Sequence, residues 1–362
     1  MSNRHQPYDL KQMQSVPLEG KILMTKERIR QWYEHWEGQV YVSFSGGKDS
    51  TVLKHIVDSM YDDVPSVFVN TGLEYPEIQK FVKDIKAGNF NCFNSNVEII
   101  RPKMRFDEVL KKYGYPVFSK EVARNIEYGR KAIDRCDDKM VDRYLYGYRK
   151  NQNTGEEYQH MQLSKSAIDF ALNSNIPASS SCCEIMKKQP AKNYAKDTGR
   201  KSMQGILAAE SRLREKTWMK NGCNAFDSKE PVSRPLSFWM EQDILHYLWQ
   251  FNVPYCPVYG DIRIKPRDGE EKGQINLIDY LGCYEPEDIL ETTGCDRTGC
   301  IFCMFGCHLE KEPNRFQRLK ETHPRQYAYC ISGGEMVDGK WRPSKEGLGL
   351  GYVLDYIGVN YK

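Results

Sequence analysis

The apolar positions between residues 25 and 112 switch repeatedly between two periods. Residues 25–36 place Ile29, Trp32, Tyr33 and Trp36 on one face, the spacing of an amphipathic helix. Residues 39–44 (Gln-Val-Tyr-Val-Ser-Phe) read instead as a short buried strand that runs straight into a glycine-rich turn. Helical spacing returns at residues 50–60, with Val52, Leu53, Ile56 and Val57 as the apolar face. A second strand at 66–69 ends at Asn70-Thr71-Gly72, and Pro76 opens a helix where a proline in the first turn loses no hydrogen bond. A third strand at 97–100 precedes a helix at 106–112. Strands alternating with helices predict an α/β fold on a doubly wound, mostly parallel sheet.

The pattern then changes. Residues 128–162 are charged and tyrosine-rich, with a loop near 151–155, and predict an inserted helical pair. A fourth strand is expected at 203–208 and an amphipathic helix at 236–251. Beyond Pro254 the periodicity weakens into loops that carry a crowd of cysteines, and the glycine-rich tail after Ser332 reads as irregular. No internal repeat is visible.

Composition narrows the class. At 362 residues the chain suits a core domain with additions, and 40% hydrophobic with 28% charged residues is ordinary for a soluble enzyme. A net charge of +3 gives no ground for nucleic-acid binding by itself, so Lys187-Lys188 and Arg200-Lys201 read as solvated surface. No apolar run reaches membrane-spanning length and the first ten residues are polar, so a cytoplasmic protein is expected. In a reducing compartment, twelve cysteines point to metal or redox chemistry rather than disulfides. Cys182 and Cys183 are adjacent, and Cys295, Cys300, Cys303 and Cys307 crowd one stretch. Cys92, Cys136, Cys223, Cys256, Cys283 and Cys330 are scattered and read mostly as small buried residues.

The turn after the first strand is Ser45-Gly46-Gly47-Lys48-Asp49-Ser50. Its glycines let backbone N–H groups approach phosphate oxygens, and the following helix directs its positive dipole end there. Ser45 and Ser50 add hydroxyls and Lys48 adds charge. The spacing is not that of the Walker loop. A tight strand-to-helix turn capped by serine is the bland alternative.

The stretch from Ser43 to Leu53 resembles the loop of the adenine nucleotide alpha-hydrolase (PP-loop ATP pyrophosphatase) superfamily, and most closely the phosphoadenylyl-sulfate (PAPS) reductase family. Val67-Phe-Val-Asn-Thr-Gly-Leu-Glu-Tyr-Pro-Glu77 resembles that family's second strand and turn, which implies adenosine binding at Asn70, Thr71 and Gly72. Gly205-Ile-Leu-Ala-Ala-Glu-Ser-Arg-Leu-Arg214 resembles its arginine-bearing loop, and Arg234-Pro-Leu-Ser-Phe-Trp-Met-Glu-Gln-Asp-Ile244, then Val253-Pro254-Tyr255 and Tyr259-Gly260, its C-terminal helix and turn. The resemblance implies an arm at 1–38, a nucleotide-binding domain at 39–260 and a cysteine-rich region at 261–362. It also implies nucleotide contacts from Ser43, Ser45, Gly46, Gly47, Lys48, Asp49 and Ser50. Lys48, Asp49, Arg212 and Arg214 become candidate catalytic groups, with Asp49 as a ligand for Mg2+.

Cys182-Cys183-Glu-Ile-Met-Lys187 resembles the paired-cysteine motif of iron–sulfur adenylyl-sulfate reductases, where a later Cys-x-x-Cys completes a [4Fe–4S] site and a nearby lysine links it to substrate. Cys300-Ile-Phe-Cys303 would supply the second half, and four thiolates are the usual cage for such a cluster. Cys295, Cys300, Cys303 and Cys307 could instead supply four ligands alone, closer to DNA phosphorothioation sulfurtransferases. Both sets stay open, as does structural zinc.

Thioredoxin-dependent reductases end in a Glu-Cys-Gly segment that this tail lacks, and Cys330 stands outside any such motif. Three functions follow: sulfur activation or transfer using ATP or an adenylyl sulfate; sulfonucleotide reduction to sulfite; and a non-catalytic nucleotide-binding subunit of a DNA-modification or defence complex. The partners implied are an adenine nucleotide and a sulfur donor, such as a cysteine desulfurase, or a thiol reductant. Nucleic acid stays open through Tyr128, Arg130, Lys131, Tyr144, Tyr146, Tyr148, Arg149 and Lys150, against a helix pair with its tyrosines packed inward. Oligomerisation is also open, and no membrane partner is expected.

Overall fold

In the computed structural model, residues 5–151, 153–265 and 288–362 are described. Cys283 lies outside them. The chain forms two compact units that alternate along the sequence. One comprises Met1–Asn70, Glu74–Arg101 and Pro190–Thr298; the other comprises Thr71–Leu73, Pro102–Gln189 and Gly299–Lys362. This differs from the three consecutive segments predicted. The N-terminal helix Leu18–His35 is no separate arm, because Ile29 and Trp32 are fully buried in the core of the sheet-bearing unit. The insertion, in turn, shares its unit with the cysteines beyond residue 298.

The first unit is built on a six-stranded sheet: β1 Val40–Ser43, β2 Ser66–Val69, β3 Val97–Ile100, β4 Lys201–Gln204, β5 Asn224–Ala225 and β6 Val232–Ser233. The spatial order is β3-β2-β1-β4-β6-β5, parallel except for the β5–β6 pair. The chain therefore starts mid-sheet, builds outward to β3, and returns to the far side of β1. A sheet that grows outward from β1 in two directions is the doubly wound arrangement, and the order reverses between β1 and β4. That reversal sits where the glycine turn leaves β1.

Helix Lys48–Asp58 buries Val52, Leu53, Ile56 and Val57, the predicted face. Strands β2 and β3 occupy the predicted residues. The fourth strand is displaced to Lys201–Gln204, because its register pairs Val40 with Lys201 and Ser43 with Gln204. The late helix is shorter than its apolar pattern, Glu241–Gln250. Leu236, Phe238 and Trp239 are buried ahead of it, where the Trp239 indole donates to Thr25 Oγ1 at 2.9 Å.

In the second unit, helix Lys120–Ile133 packs against the helical stretch Asp138–Val141 and its continuation Asp142–Tyr146, so the insertion does open with a helical pair, and an unforeseen hairpin follows it. A helical turn ends at Gly147, whose φ of +78° has no room for a β-carbon beside the His160 carbonyl. Strands Tyr148–Lys150 and Glu157–Gln159 follow as an antiparallel hairpin. Its turn is set by Asn151, whose side-chain oxygen accepts from the Asn153 and Thr154 amides, and by Gly155 at φ +74°. The tyrosines do not pack inward as a set: Tyr128 and Tyr148 are exposed, the latter 53%. Arg130 is engaged with the protein itself, donating to the carbonyls of Phe170, Ala171, Ser174 and Ile176 at the end of helix Lys165–Asn173.

The tail is also more ordered than predicted. Strands Glu335–Val337 and Lys340–Arg342 pair, and helix Leu350–Tyr356 buries Leu350, Val353 and Leu354. Truncating Leu354 to Ala should cost about 2–5 kcal/mol, read as a lowered denaturant midpoint. An unchanged midpoint would return the tail to the irregular segment its glycines suggested.

Candidate functional site

The phosphate-loop candidate lies at the carboxyl end of β1. Phe44 is the last buried apolar residue before it, and Gly46 turns the chain at φ +73°, where a β-carbon would meet Ile78 at 2.9 Å. Ser50 Oγ accepts from the Ser45 amide at 3.2 Å, donates to the Gly47 carbonyl at 2.9 Å and stands 3.0 Å from Ser45 Oγ. Thr51 Oγ1 donates to the same carbonyl. The helix N-cap is Gly47 and carries no side-chain cap hydrogen bond; the Ser45 and Ser50 hydroxyls instead brace the turn from within. Gly205, just past β4, packs against this start of the helix; a β-carbon there would fall 2.8 Å from the Asp49 carbonyl oxygen.

Lys48 is only 6% exposed and is not a free cation. Its Nζ donates to the Asp296 carbonyl at 2.7 Å and pairs with Glu241 at 2.9 Å. Its backbone N–H donates to the Tyr259 hydroxyl at 3.1 Å, which shares a 2.7 Å hydrogen bond with Thr298 Oγ1. Those two hydroxyls face Gly47, where a β-carbon would approach them to 3.2 and 3.1 Å. Glu241, Tyr259, Asp296 and Thr298 were not foreseen as site residues. Glu241 and Tyr259 carried a signal, one inside the stretch from Arg234 to Ile244 and the other in its Tyr-Gly turn.

Asp49 has one carboxylate oxygen, Oδ1, buried and without a hydrogen-bond partner among the described residues. Burial raises its pKa above the ordinary range; Lys48 pulls it back, Glu241 pushes it up, and Arg297 and Arg214 pull it down. Arg214 forms an ion pair with Glu210, whose other oxygen is 3.9 Å from Arg297. Arg212 opens the same helix, Arg212–Asn221, and is exposed. Of the predicted adenosine turn, Asn70 belongs to this unit, its amide donating to the Ile100 carbonyl. Thr71 and Gly72 belong to the other.

The second unit holds Cys182, Cys183, Cys300, Cys303 and Cys307, whereas Cys295 belongs to the first, its Sγ donating to the Arg297 carbonyl at 2.8 Å. Cys182 and Cys183 share a hydrogen bond that holds the proton on Cys182 and lowers the pKa of Cys183, with Lys120 and Lys187 adding positive charge beside Cys183. Cys300 and Cys303 lie within electrostatic reach of Cys182. Burial raises the pKa of Cys303 and lifts that of Cys307 to about 12. Arg315 donates to the Cys303 carbonyl at 2.8 Å and pairs with Glu310. Among the described residues, no three His, Cys, Asp or Glu side chains stand in ligating geometry. Of the scattered cysteines, Cys223, Cys256 and Cys330 are buried as expected, while Cys92 and Cys136 are exposed.

Residues 39–173 and 131–304 match the family model of the phosphoadenosine phosphosulfate reductase domain. The chain belongs to the phosphoadenosine phosphosulfate reductase family. The matched stretches take in the glycine loop, the cysteine pair and Cys300-x-x-Cys303, and stop short of Cys307. An uncharacterized protein of Methanocaldococcus jannaschii is 34% identical over 91 residues, covering 24% of this chain and 21% of its own. Phosphoadenosine 5'-phosphosulfate reductase of Vibrio campbellii is 28% identical over 99 residues, covering 27% of this chain and 37% of its own. The chain thus spans well under half the length of either relative. The crystal structure of phosphoadenylyl-sulfate reductase from Candida auris, a phosphate complex, aligns at TM-score 0.36 and 13% identity, covering 71% of this family member and 92% of that chain. Among the described residues, no helix is long and apolar enough to cross a membrane.

The raised pKa of Asp49 makes a signed prediction. Its proton leaves the unfolded chain more readily than the folded one, so the contribution to stability is lost as pH rises through the folded value. Asp49→Asn should melt with wild type at acid pH and gain stability over it progressively as pH rises through the folded carboxyl's raised value. A gap independent of pH in thermal melts would contradict this.

Proposed function

We propose that the chain is an enzyme that binds ATP at residues 45–50 and uses it to activate an acceptor for sulfur transfer, and that it carries a [4Fe–4S] site on Cys182, Cys183, Cys300 and Cys303. The observation that supports the reading is that Cys182, Cys183, Cys300 and Cys303 fall in the same unit, with Cys300 and Cys303 within electrostatic reach of the pair. A cluster held there would supply a centre for binding sulfur or moving single electrons. Cys295 is the least suited of the candidate ligands, since it belongs with the sheet.

At the loop, the N–H groups ahead of helix Lys48–Asp58 would hold the β- and γ-phosphates. The buried Oδ1 of Asp49 suits Mg2+, because a cation satisfies a carboxylate oxygen that has no donor. Lys48 and Arg214 would neutralise charge as an acceptor oxygen bonds to the α-phosphorus and the α–β bridging P–O bond breaks, releasing pyrophosphate. A hydrosulfide from the sulfur donor would then attack the acceptor atom that bears the activated oxygen, forming the bond to sulfur as the bond to that oxygen breaks and AMP leaves with it. The site's work is positioning and charge neutralisation.

Reduction of PAPS to sulfite is the second reading, favoured by the names of the Vibrio relatives. Cys330 argues against it. The residue is 0% exposed, and burial raises its thiol pKa well above the usual value, the reverse of what a nucleophile needs.

Anaerobically purified protein should contain iron and sulfide and release pyrophosphate from ATP with an acceptor present. Lys48→Ala should slow that release about 100-fold. Absence of pyrophosphate with sulfate, tRNA and DNA alike would remove the ATP reaction. Sulfite from PAPS would install the reductase instead, and zinc without iron would remove the cluster.

A further inference from the structure

Beside β5, the outermost strand of the sheet, the first unit holds a pocket of about 240 Å3. It is lined by His5, Arg28 and Gln31 of helix Leu18–His35, Trp218 of helix Arg212–Asn221, and Phe226 just after β5. The His5 amide donates to the Met219 carbonyl at 3.0 Å, and its ring centroid stands 4.8 Å from that of Trp218. Gly222 makes this approach possible, since a β-carbon there would fall 2.8 Å from His5 Nε2. Phe226 packs on Trp32 with ring centroids 5.1 Å apart. Two donors at the pocket lack acceptors. Trp218 is 3% exposed, and its indole Nε1 is buried with no hydrogen-bond partner among the described residues. Trp32 and Trp36 have such a nitrogen too, but neither lines the pocket. Arg28 donates to Gln31 Oε1 at a long 3.3 Å, while the neighbouring Glu27 carboxylate accepts from Arg30 and Gln31. Among the described residues, no aspartate or glutamate lines the pocket. A buried N–H with no acceptor is costly unless something supplies one.

We propose that this pocket binds a small carboxylate bearing one planar ring, its oxygens on Arg28 and the Trp218 indole N–H and its ring against His5 and Phe226. The ligand's chemistry follows from what the pocket lacks. Its unmet groups are donors, one of them a guanidinium, and a carboxylate offers two acceptor oxygens and the opposite charge. Its walls are aromatic, which suits a flat ring packed edge-on or offset. Size narrows the choice further. Drug-sized ligands take roughly 300–1,000 Å3, so about 240 Å3 suits a single ring rather than a nucleotide. No residue of loop 45–50 lines the pocket, which makes this a second site, separate from the one proposed for ATP.

The test is calorimetric titration of the full chain with benzoate. Wild type should bind it saturably, and should bind benzamide, the same shape without the charge, about tenfold more weakly. Arg28→Gln should lose about tenfold in benzoate affinity and leave benzamide unchanged. Trp218→Phe keeps a ring but removes the donor, and should weaken benzoate about fivefold. Arg263→Gln, which removes an exposed arginine paired with Glu291, should match wild type. ATP should not displace benzoate. Thermal melting of each variant separates a lost ligand from a lost fold, and Arg28→Gln and Trp218→Phe should both melt cooperatively. Absence of saturable binding at millimolar benzoate overturns the proposal. So does equal affinity for benzoate and benzamide, equal affinity of Arg28→Gln and wild type, or displacement of benzoate by ATP.

Discussion

At residue 205 there is no room for a β-carbon, and the arrangement of the sheet-bearing unit turns on that approach. Glycine lets the chain leave β4 within 2.8 Å, measured from where a β-carbon would sit, of the carbonyl that opens helix Lys48–Asp58. β4 can then lie directly against β1, in register from Val40 to Ser43. The reversal of strand order falls at that pair, and a reversal opens a crevice at the carboxyl ends of the strands. Loop 45–50, Arg234 and the residues after Gln204 all emerge there. A bulkier residue at 205 would push β4 from β1 and spread the groups that the proposed chemistry needs together.

Within the crevice, charge is balanced locally rather than left free. Lys48 is held by Glu241, Arg214 by Glu210, and the Lys48 amide by a tyrosine hydroxyl. Among the described residues, Asp49 keeps an oxygen without a donor and Arg234 a nitrogen without an acceptor. The cysteine pair shows a related division. Two adjacent thiols share one proton, and two lysines, Lys120 from an earlier helix and Lys187, favour the ionised form of Cys183.

Much of the sheet was legible because β2 and β3 are apolar runs bounded by turn residues, a signal that needs no tertiary knowledge. The helix after the loop was equally plain in its four apolar positions. The hairpin at 148–159 was not, since most of its strand residues are exposed and none is buried, leaving no alternation to read. The tail misled through its glycines, although Leu350, Val353 and Leu354 keep helical spacing. At the site, the glycine loop and paired cysteines announced themselves as local motifs. Arg297, Thr298 and Asp296 did not. Their role comes from where residues 288–298 fold back, and one of the three acts through a carbonyl that any residue would offer.

The interleaving of the two units has a consequence for how the protein is made. The strands that complete the sheet beyond β1 follow the insertion, so a chain emerging from the ribosome holds only β1, β2 and β3 until residue 201 is synthesised. Those three strands expose an unpaired edge on β1 while about a hundred residues of the other unit are added, and an open parallel edge invites wrong partners. Neither unit is a contiguous stretch that a single pair of cuts would release. Each must wait for a later segment to return, which makes the whole polypeptide, rather than either half, the unit of expression and of inheritance.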